Sequence, residues 1–275
     1  MCRSKFYTWY NRNGNHLIAG LNLLKHAFFE NKHCEVILPE HHLFHYIKEN
    51  METADCCTCD NILDKTREIN PTGGGKLLTI QELKMIADKY ISFKLDTPTE
   101  PKYDIGIHLR AGDVYGDGRI HFEYVQPPLD FYVQIMEKNK GKSFCFVYEK
   151  DNGPIFPKIK EYVEKNNINA TFQSSSLTED LITLCSCETL VFSFGTFCFI
   201  PYLFSKCLKN TIMPDILINK KRGSNWFCIK EVPDNLKVIN LPNYILVGYW
   251  QNTKEQHEIM LNYKIKETEY DKLTI

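Results

Sequence analysis

Apolar and polar positions along this chain switch repeatedly between a period typical of strands and a period typical of helices. Short apolar runs predict buried strands, and the segments between them place apolar residues three or four positions apart, which predicts amphipathic helices. The predicted strands are 5–10, 34–39, 103–110, 143–149, 170–173 and 189–194, and the predicted helices are 16–30, 42–49, 79–90, 129–139, 157–166, 178–187 and a helix beginning near 196. Such alternation favours parallel, doubly wound sheets.

Two segments interrupt this alternation and indicate how the chain is divided. Residues 50–75 are rich in Cys, Asp, Asn and Gly without periodicity, which predicts a long loop or insertion. Residues 96–101 contain two prolines and are the best linker candidate. We therefore predict an α/β protein with two Rossmann-like, doubly wound domains facing a cleft. The predicted domains are 1–98 and 99–245, followed by a tail or helix over 246–275, for which packing back on the first domain is one option.

The composition and charge of the chain limit the classes of partner that it is expected to bind. A chain of 275 residues with 43% hydrophobic and 24% charged content is typical of a globular protein in water. The 33 Lys and Arg residues balance 34 Asp and Glu residues, so the net charge of −1 argues against nucleic acid and anionic membranes as partners. No apolar run reaches the roughly 18 residues of a membrane span, and we expect a cytoplasmic protein. The 11 scattered cysteines are expected to be mostly reduced thiols.

The strand predicted over 103–110 carries the first candidate site. In an open α/β sheet, ligands bind outside the carboxyl ends of the strands, and this strand delivers His108 and Arg110 there. The planar guanidinium of arginine matches phosphate oxygens, and its charge cannot be titrated away. Two interpretations stay open at this point: Arg110 binds a phosphate group, or it pairs with a nearby carboxylate.

A second strand-to-helix junction, residues 191–197, carries small polar side chains. The hydroxyls of Ser193 and Thr196, together with backbone N–H groups at the start of a helix, favour an anion site. The alternative is a simple helix cap. Convergence with Arg110 at one edge of the same sheet would favour a ligand.

A third junction, residues 11–16, connects the first predicted strand with its helix. It lacks the three glycines of a dinucleotide-binding turn. Asn15 is a candidate cap for the helix. The candidates to line the cleft from the first domain are Asn13, Gly14, Asn15 and His16.

The order of three motifs resembles a known family. The first motif is Gly14–Leu17 with the later Val36–Pro39, the second is His108–Asp113, and the third is Asp180–Ile182 with Ser193–Phe197. Together they resemble the motifs of the fucosyltransferase superfamily of two-domain (GT-B) glycosyltransferases. That superfamily includes the α1,2-, α1,6- and protein O-fucosyltransferases. The middle motif resembles its His-x-Arg-x-Gly-Asp signature. The resemblance covers about residues 10 to 205.

The resemblance implies an inverting, metal-independent enzyme without a cofactor. It would transfer L-fucose from GDP-fucose to a hydroxyl group of a glycan or glycoprotein acceptor. Arg110 would bind the β-phosphate and stabilise the leaving diphosphate, on which negative charge grows in an oxocarbenium-like transition state. His108 would shape this pocket, and Asp180 would accept hydrogen bonds from the guanine edge. The implied donor-binding set is completed by Ser193, Gly195, Thr196 and Phe197.

A catalytic base, if one is used, should be a carboxylate near Arg110 that reaches an acceptor hydroxyl. Asp117, in the loop after the second motif, is the first choice. Asp113 is grouped with the catalytic residues as the side chain that orients Arg110 or the turn. Glu123 and Glu149 are weaker candidates. For each carboxylate the alternative is a solvated loop position.

Two departures from the family pattern leave the donor open. Ala111 stands where many relatives carry a second arginine, and Phe194-Gly195 stands where serine is frequent. Another activated sugar such as UDP-xylose is therefore an alternative donor. A non-catalytic nucleotide- or glycan-binding protein is the alternative from another class. We predict no metal site, since the spacing Cys57-x-Cys59 is not the usual Cys-x2-Cys of zinc sites, and metal binding by residues 56–59 stays an open alternative.

Overall fold

The computed structural model describes residues 2–5, 13–29, 34–38, 40–46, 78–116, 118, 120–217, 233–245 and 249–266. The chain divides into two compact units. One comprises Met1–Asp96 with Asn225–Lys230, and the other comprises Thr97–Ser224 with Glu231–Ile275. The main division falls inside the segment predicted as a linker.

In its described residues, the first unit contains two helices and two pairs of short strands. β1 pairs in parallel with β2, and α1 connects them. β3 pairs antiparallel with β4, which directly follows α2. The elements are β1 (Cys2–Lys5), α1 (Asn13–Phe29), β2 (Cys34–Ile37), β3 (Phe44–Tyr46), α2 (Ile80–Tyr90) and β4 (Ile91–Phe93). A doubly wound sheet in this unit stays a prediction.

Two local predictions for the first unit are wrong. In the described part of the predicted helix over 42–49, residues 44–46 form β3 instead, in which Phe44 and Tyr46 are buried and His45 between them is exposed. This alternation of period two suits a strand, and the strand forms because β4 pairs with it. Asn15 does not cap α1, because that helix already begins at Asn13.

The second unit is an α/β fold with a six-stranded parallel sheet flanked by helices. In chain order its strands are β5 (Tyr103–Leu109), β6 (Phe144–Tyr148), β7 (Ala170–Gln173), β8 (Cys187–Val191), β9 (Asn210–Pro214) and β10 (Leu236–Ile239). Their spatial order is β10-β9-β8-β5-β6-β7, and every neighbouring pair is parallel. The chain therefore winds outward from β5 through β7, returns beside β5, and winds outward to β10. This is the strand order of Rossmann-type sheets, and it places the topological switch point between β5 and β8.

The sequence of these strands explains why they form the centre of the unit. In β6, four consecutive residues from Phe144 to Val147 are buried, so both faces of the strand are covered. The helices are α3 (Leu129–Lys138), α4 (Ile155–Lys165), α5 (Leu177–Cys185), α6 (Phe199–Phe204) and α7 (Lys254–Asn262). Ser176 and Glu179 form a reciprocal capping box that fixes the start of α5.

The C-terminal segment belongs to the second unit in its described part, residues 249–266. There α7 packs against α3. Beyond α7, Lys264 Nζ and the backbone N–H of Ile265 donate to the buried carboxylate of Asp130 at 3.0 and 2.9 Å. The segment predicted as a separate tail is thus anchored to the start of α3. Within the described ranges, no helix combines the length and apolar character that a membrane crossing needs.

Candidate functional site

The candidate site lies where the neighbouring strands β5 and β8 end. Val191, the last residue of β8, pairs with Ile107, and β5 continues two residues further to Leu109. We term this end the carboxyl edge; it comprises residues 110–116 after β5, 149–153 after β6 and 192–197 after β8. Because it contains the switch point, it is the position at which open α/β sheets bind ligands.

A hydrogen bond between His108 and Ser193 crosses the switch point. His108 Nδ1 lies 2.7 Å from Ser193 Oγ, both side chains are buried, and the imidazole lies 4.8 Å from the ring of Phe197. Burial, reinforced by the nearby charge of Arg110, lowers the pKa of His108 to about 3. His108 is therefore neutral at pH 7. The structure brings together these three residues, which the sequence analysis assigned to one pocket.

The guanidinium of Arg110 is held between two carboxylates. Its Nη1 donates to Glu149 Oε2 at 3.2 Å, and its Nη2 donates to Asp113 Oδ1. The arginine side chain is only 11% exposed, whereas each carboxylate side chain is 45% exposed. Carboxylate pairing, one of the two interpretations left open above, is thus present. A guanidinium has five N–H donors, so this pairing and phosphate binding are compatible.

The turn that follows β5 is fixed by residues from the end of β6. Gly112 has a φ of +73°, a conformation that glycine adopts without strain. The side-chain amide of Asn152 accepts from the Gly112 N–H at 2.9 Å and donates to the Gly112 carbonyl at 3.1 Å. A Cβ at this position would meet the Glu149 carboxylate at 2.9 Å. Asn152 was not predicted to belong to the site, because no motif or spacing in the chain identifies it.

The C-terminal segment supports the same turn from another side. Trp250 Nε1 donates to the Val114 carbonyl at 3.1 Å. The buried ring of Tyr115 lies edge-on to Trp250 and His257, and its hydroxyl donates to the sulfur of Met260 at 3.5 Å. The position of Asp113 in this turn therefore depends on packing from residues more than 130 positions away.

The exit from β8 is a tight turn before α6. Gly195 has a φ of +147°, and a Cβ there would meet no atom within 4 Å, so backbone conformation rather than space favours glycine. Gln126 Nε2 donates to the carbonyl of Phe194 at 3.3 Å, and the side chain of Thr196 is buried. In the described part of the chain, no hydrogen bond uses the backbone N–H of Gly195 or Phe197. These N–H groups are therefore candidates for an anionic ligand.

Asp180 lies at the same edge but beside β7, two strands away from β5. Its Oδ1 accepts from Gln173 Nε2 at 2.9 Å and from the Ser175 N–H at 3.2 Å. Burial raises the pKa of Asp180 above its usual value. Within the described contacts, this carboxylate stabilises the entry into α5, and the structure does not bring it together with His108 or Ser193.

The remaining predicted site residues lie elsewhere. Asp117, the first choice for a catalytic base, lies outside the described residues, as do the cysteines of residues 56–59. Asn13, Gly14, Asn15 and His16 form the first turn of α1 in the first unit. There His16 Nδ1 lies 3.0 Å from His41 Nε2, and burial together with neighbouring positive groups lowers the pKa of His41 to about 4. Across the described ranges, no three His, Cys, Asp or Glu side chains are grouped as metal ligands.

The fold and the site define an α/β protein of Rossmann type with paired charges at the switch point of its parallel sheet. Comparisons of the chain with known protein families, curated proteins and solved structures found no match.

Proposed function

We propose that the chain is a glycosyltransferase that binds a nucleoside-diphosphate sugar at the carboxyl edge and transfers the sugar to a hydroxyl group of a glycan. The observation that carries the proposal is the position of Arg110. It is mostly buried at the end of β5, beside the switch point that His108 and Ser193 bridge. GDP-fucose is the first donor to test, on the strength of the resemblance, and UDP-xylose is the alternative.

The charge distribution at the edge suits a leaving diphosphate. Since His108 is neutral, Arg110 is the cation at the switch point among the described residues. In glycosyl transfer the departing diphosphate gains negative charge, and a positioned guanidinium stabilises that charge most in the transition state. The N–H groups of Gly195 and Phe197 would add donors without adding charge.

The two carboxylates would position Arg110 in the absence of donor. Asp113 and Glu149 hold the guanidinium from two sides, and being half exposed they can rotate into water when a diphosphate replaces them. A carboxylate released next to the reacting sugar is a candidate base for the acceptor hydroxyl. A two-domain GT-B architecture is what the resemblance implies for such an enzyme.

A non-catalytic binding protein is the second candidate, and one observation favours it. Two carboxylates surround one guanidinium, and a salt bridge with only a structural role would have the same arrangement. Such a protein would keep the fold and bind nucleotide or glycan without turnover.

A thermal-shift screen of GDP, UDP and CDP and their sugars, each with and without EDTA, tests the proposal. We expect GDP and GDP-fucose to raise the melting temperature more than UDP does, with no effect of EDTA. A subsequent donor-hydrolysis assay should detect GDP release, and its absence despite GDP binding would favour the binding protein. A chain that responds to no nucleotide would contradict the glycosyltransferase proposal.

A further inference from the structure

Three aromatic side chains form a continuous series that begins at Arg110 and ends in solvent. The guanidinium carbon of Arg110 lies 5.8 Å from the ring centre of Tyr124. The ring of Tyr124 lies 4.8 Å from that of His121, and His121 stacks on Phe122 at 5.0 Å with an interplanar angle of 11°. We term His121, Phe122 and Tyr124 the aromatic platform.

The outer part of the platform is exposed although its backbone is fixed. Phe122 is 56% exposed, and the side chain of His121 is 50% exposed. The Tyr124 N–H donates to the His121 carbonyl at 3.0 Å, and the Trp250 N–H donates to the Phe122 carbonyl at 2.9 Å. The exposure of Phe122 is thus part of an ordered turn, which presents the stacked rings of His121 and Phe122 to solvent.

The surroundings of the platform favour a sugar over a nucleobase. The carboxylate of Glu123 lies beside it, 3.9 Å from His121 Nδ1. A pyranose presents an apolar face of C–H groups that covers an aromatic ring, while its hydroxyls at the rim donate to a carboxylate. A nucleobase instead has a polar edge that is costly to leave unpaired, and it suits an enclosed slot better than an open, half-exposed ring.

We propose that the aromatic platform is the acceptor subsite, where one pyranose ring of a carbohydrate acceptor stacks on Phe122 and His121. The carboxylate of Glu123 accepts a hydrogen bond from a hydroxyl of that ring. The inference rests on the proposed function and deepens it, because it places the carbohydrate acceptor on named residues next to Arg110. The series of rings then leads from the leaving diphosphate to the bound acceptor.

Saturation-transfer NMR on the full chain tests this, with the methyl glycosides of β-galactose, β-glucose, β-xylose and α-rhamnose as probes. We expect at least one glycoside to bind the wild type. Its dissociation constant should rise about fivefold or more in Phe122→Ala, the loss expected when one stacked ring contact is removed, and recover in Phe122→Tyr. Ile259→Ala is the matched control, since Ile259 on α7 is also exposed and lies outside the platform.

GDP thermal shifts on the same variants separate this inference from the proposed function. Phe122→Ala should retain the shift seen in the wild type. Loss of the shift in Phe122→Ala would place the nucleotide on the platform and overturn the inference. A wild type that responds to GDP but binds no glycoside, or a Phe122→Ala variant with unchanged glycoside affinity, would also overturn it and leave the donor site standing. A wild type without any nucleotide response would instead contradict the proposed function.

Discussion

The two edges of the six-stranded sheet satisfy their polar groups in different ways. At the amino edge, where β5 and β6 begin, the Asp104 carboxylate accepts from the backbone N–H and the hydroxyl of Ser143 at 2.8 and 2.7 Å and from Lys142 Nζ at 3.2 Å. These bonds lower the pKa of Asp104 and join neighbouring segments of the backbone. Each of these bonds therefore stabilises the fold.

Three buried cysteines lie in the interior near the amino edge. Cys185, Cys187 and Cys207 are buried and free, and the thiols of Cys187 and Cys207 donate to the backbone carbonyls of Thr183 and Cys185. Burial raises the pKa of Cys185 to about 12, so its thiol stays protonated and unreactive. Cysteine acts here as a small apolar side chain.

The carboxyl edge instead holds a guanidinium, two half-exposed carboxylates, a neutral histidine and exposed rings within one region. The two ion pairs of Arg110 contribute little to stability, because their carboxylates are half exposed and screened by water. The amino edge therefore stabilises the fold, and under the proposed function the carboxyl edge of the same sheet binds the ligand.

The largest effect is expected from removing Arg110. Arg110→Ala should lower turnover about 100- to 1000-fold, as expected for the loss of one group that stabilises transition-state charge, with little change in melting temperature. Lys142→Ala is the matched control: it removes a cation at the amino edge instead of the carboxyl edge and should keep full turnover. Donor-hydrolysis rates of both variants measure the difference, and equal rates would erase the functional distinction between the edges.

Gly106→Ala should affect stability rather than ligand binding. A Cβ at this position in β5 would lie 2.5 Å from the sulfur of Cys187, so the strand must shift or the thiol must move. Overpacking of this kind costs about 1–3 kcal/mol in the free energy of unfolding. Urea denaturation measures the loss, and adding Cys187→Ala should restore part of it. A fully stable Gly106→Ala variant would show that this interior is not tightly packed.

His108 should make the second unit sensitive to acid. Its pKa is about 3 in the folded protein against the usual 6.5, so the unfolded chain binds the proton first as the pH falls. Its contribution is therefore complete above about pH 6.5 and decreases below it, by at most about 2 kcal/mol at about pH 5. His108→Asn, which can still bond to Ser193, should flatten the dependence of the unfolding free energy on pH in this window. An unchanged slope would mean that His108 is not buried as described.

The smallest effect is expected at the amino edge. Asp104→Asn weakens the bonds to Ser143 and Lys142 and should cost about 1 kcal/mol of stability, the typical net value of such hydrogen bonds. GDP binding should not change. Chemical denaturation and a GDP titration of the same sample give both quantities, and a loss of GDP affinity would be the unexpected result.

The sequence was sufficient to predict strands β5 to β8 of the second unit and the two junctions beside its switch point, whereas β9 and β10 were not predicted. The apolar run ending in His108 and Arg110 predicted β5, and the Ser193–Phe197 exit predicted a second junction at the same edge. Both signals are local, because a buried parallel strand and the turn after it are encoded in consecutive residues. The strand order then brings the two junctions together.

Side chains that reach the site from a distance were not predictable in the same way. Asn152 and Tyr124 approach the end of β5 through loops, and nothing in their own neighbourhood in sequence distinguishes them from solvated loop residues. The strand β3 was missed for a similar reason, since its partner β4 lies about 45 residues later in the chain. Contacts of this kind are set by tertiary packing and not by periodicity.

Hydrogen–deuterium exchange with and without GDP tests the central claim most directly, because it reports on both edges in one sample. The account predicts slower exchange on GDP binding in residues 108–116 and 193–199, and unchanged exchange at the amino edge in residues 101–104 and 185–188. Protection confined to the amino edge or to the first unit, or no protection at saturating GDP, would contradict the assignment of ligand binding to the carboxyl edge.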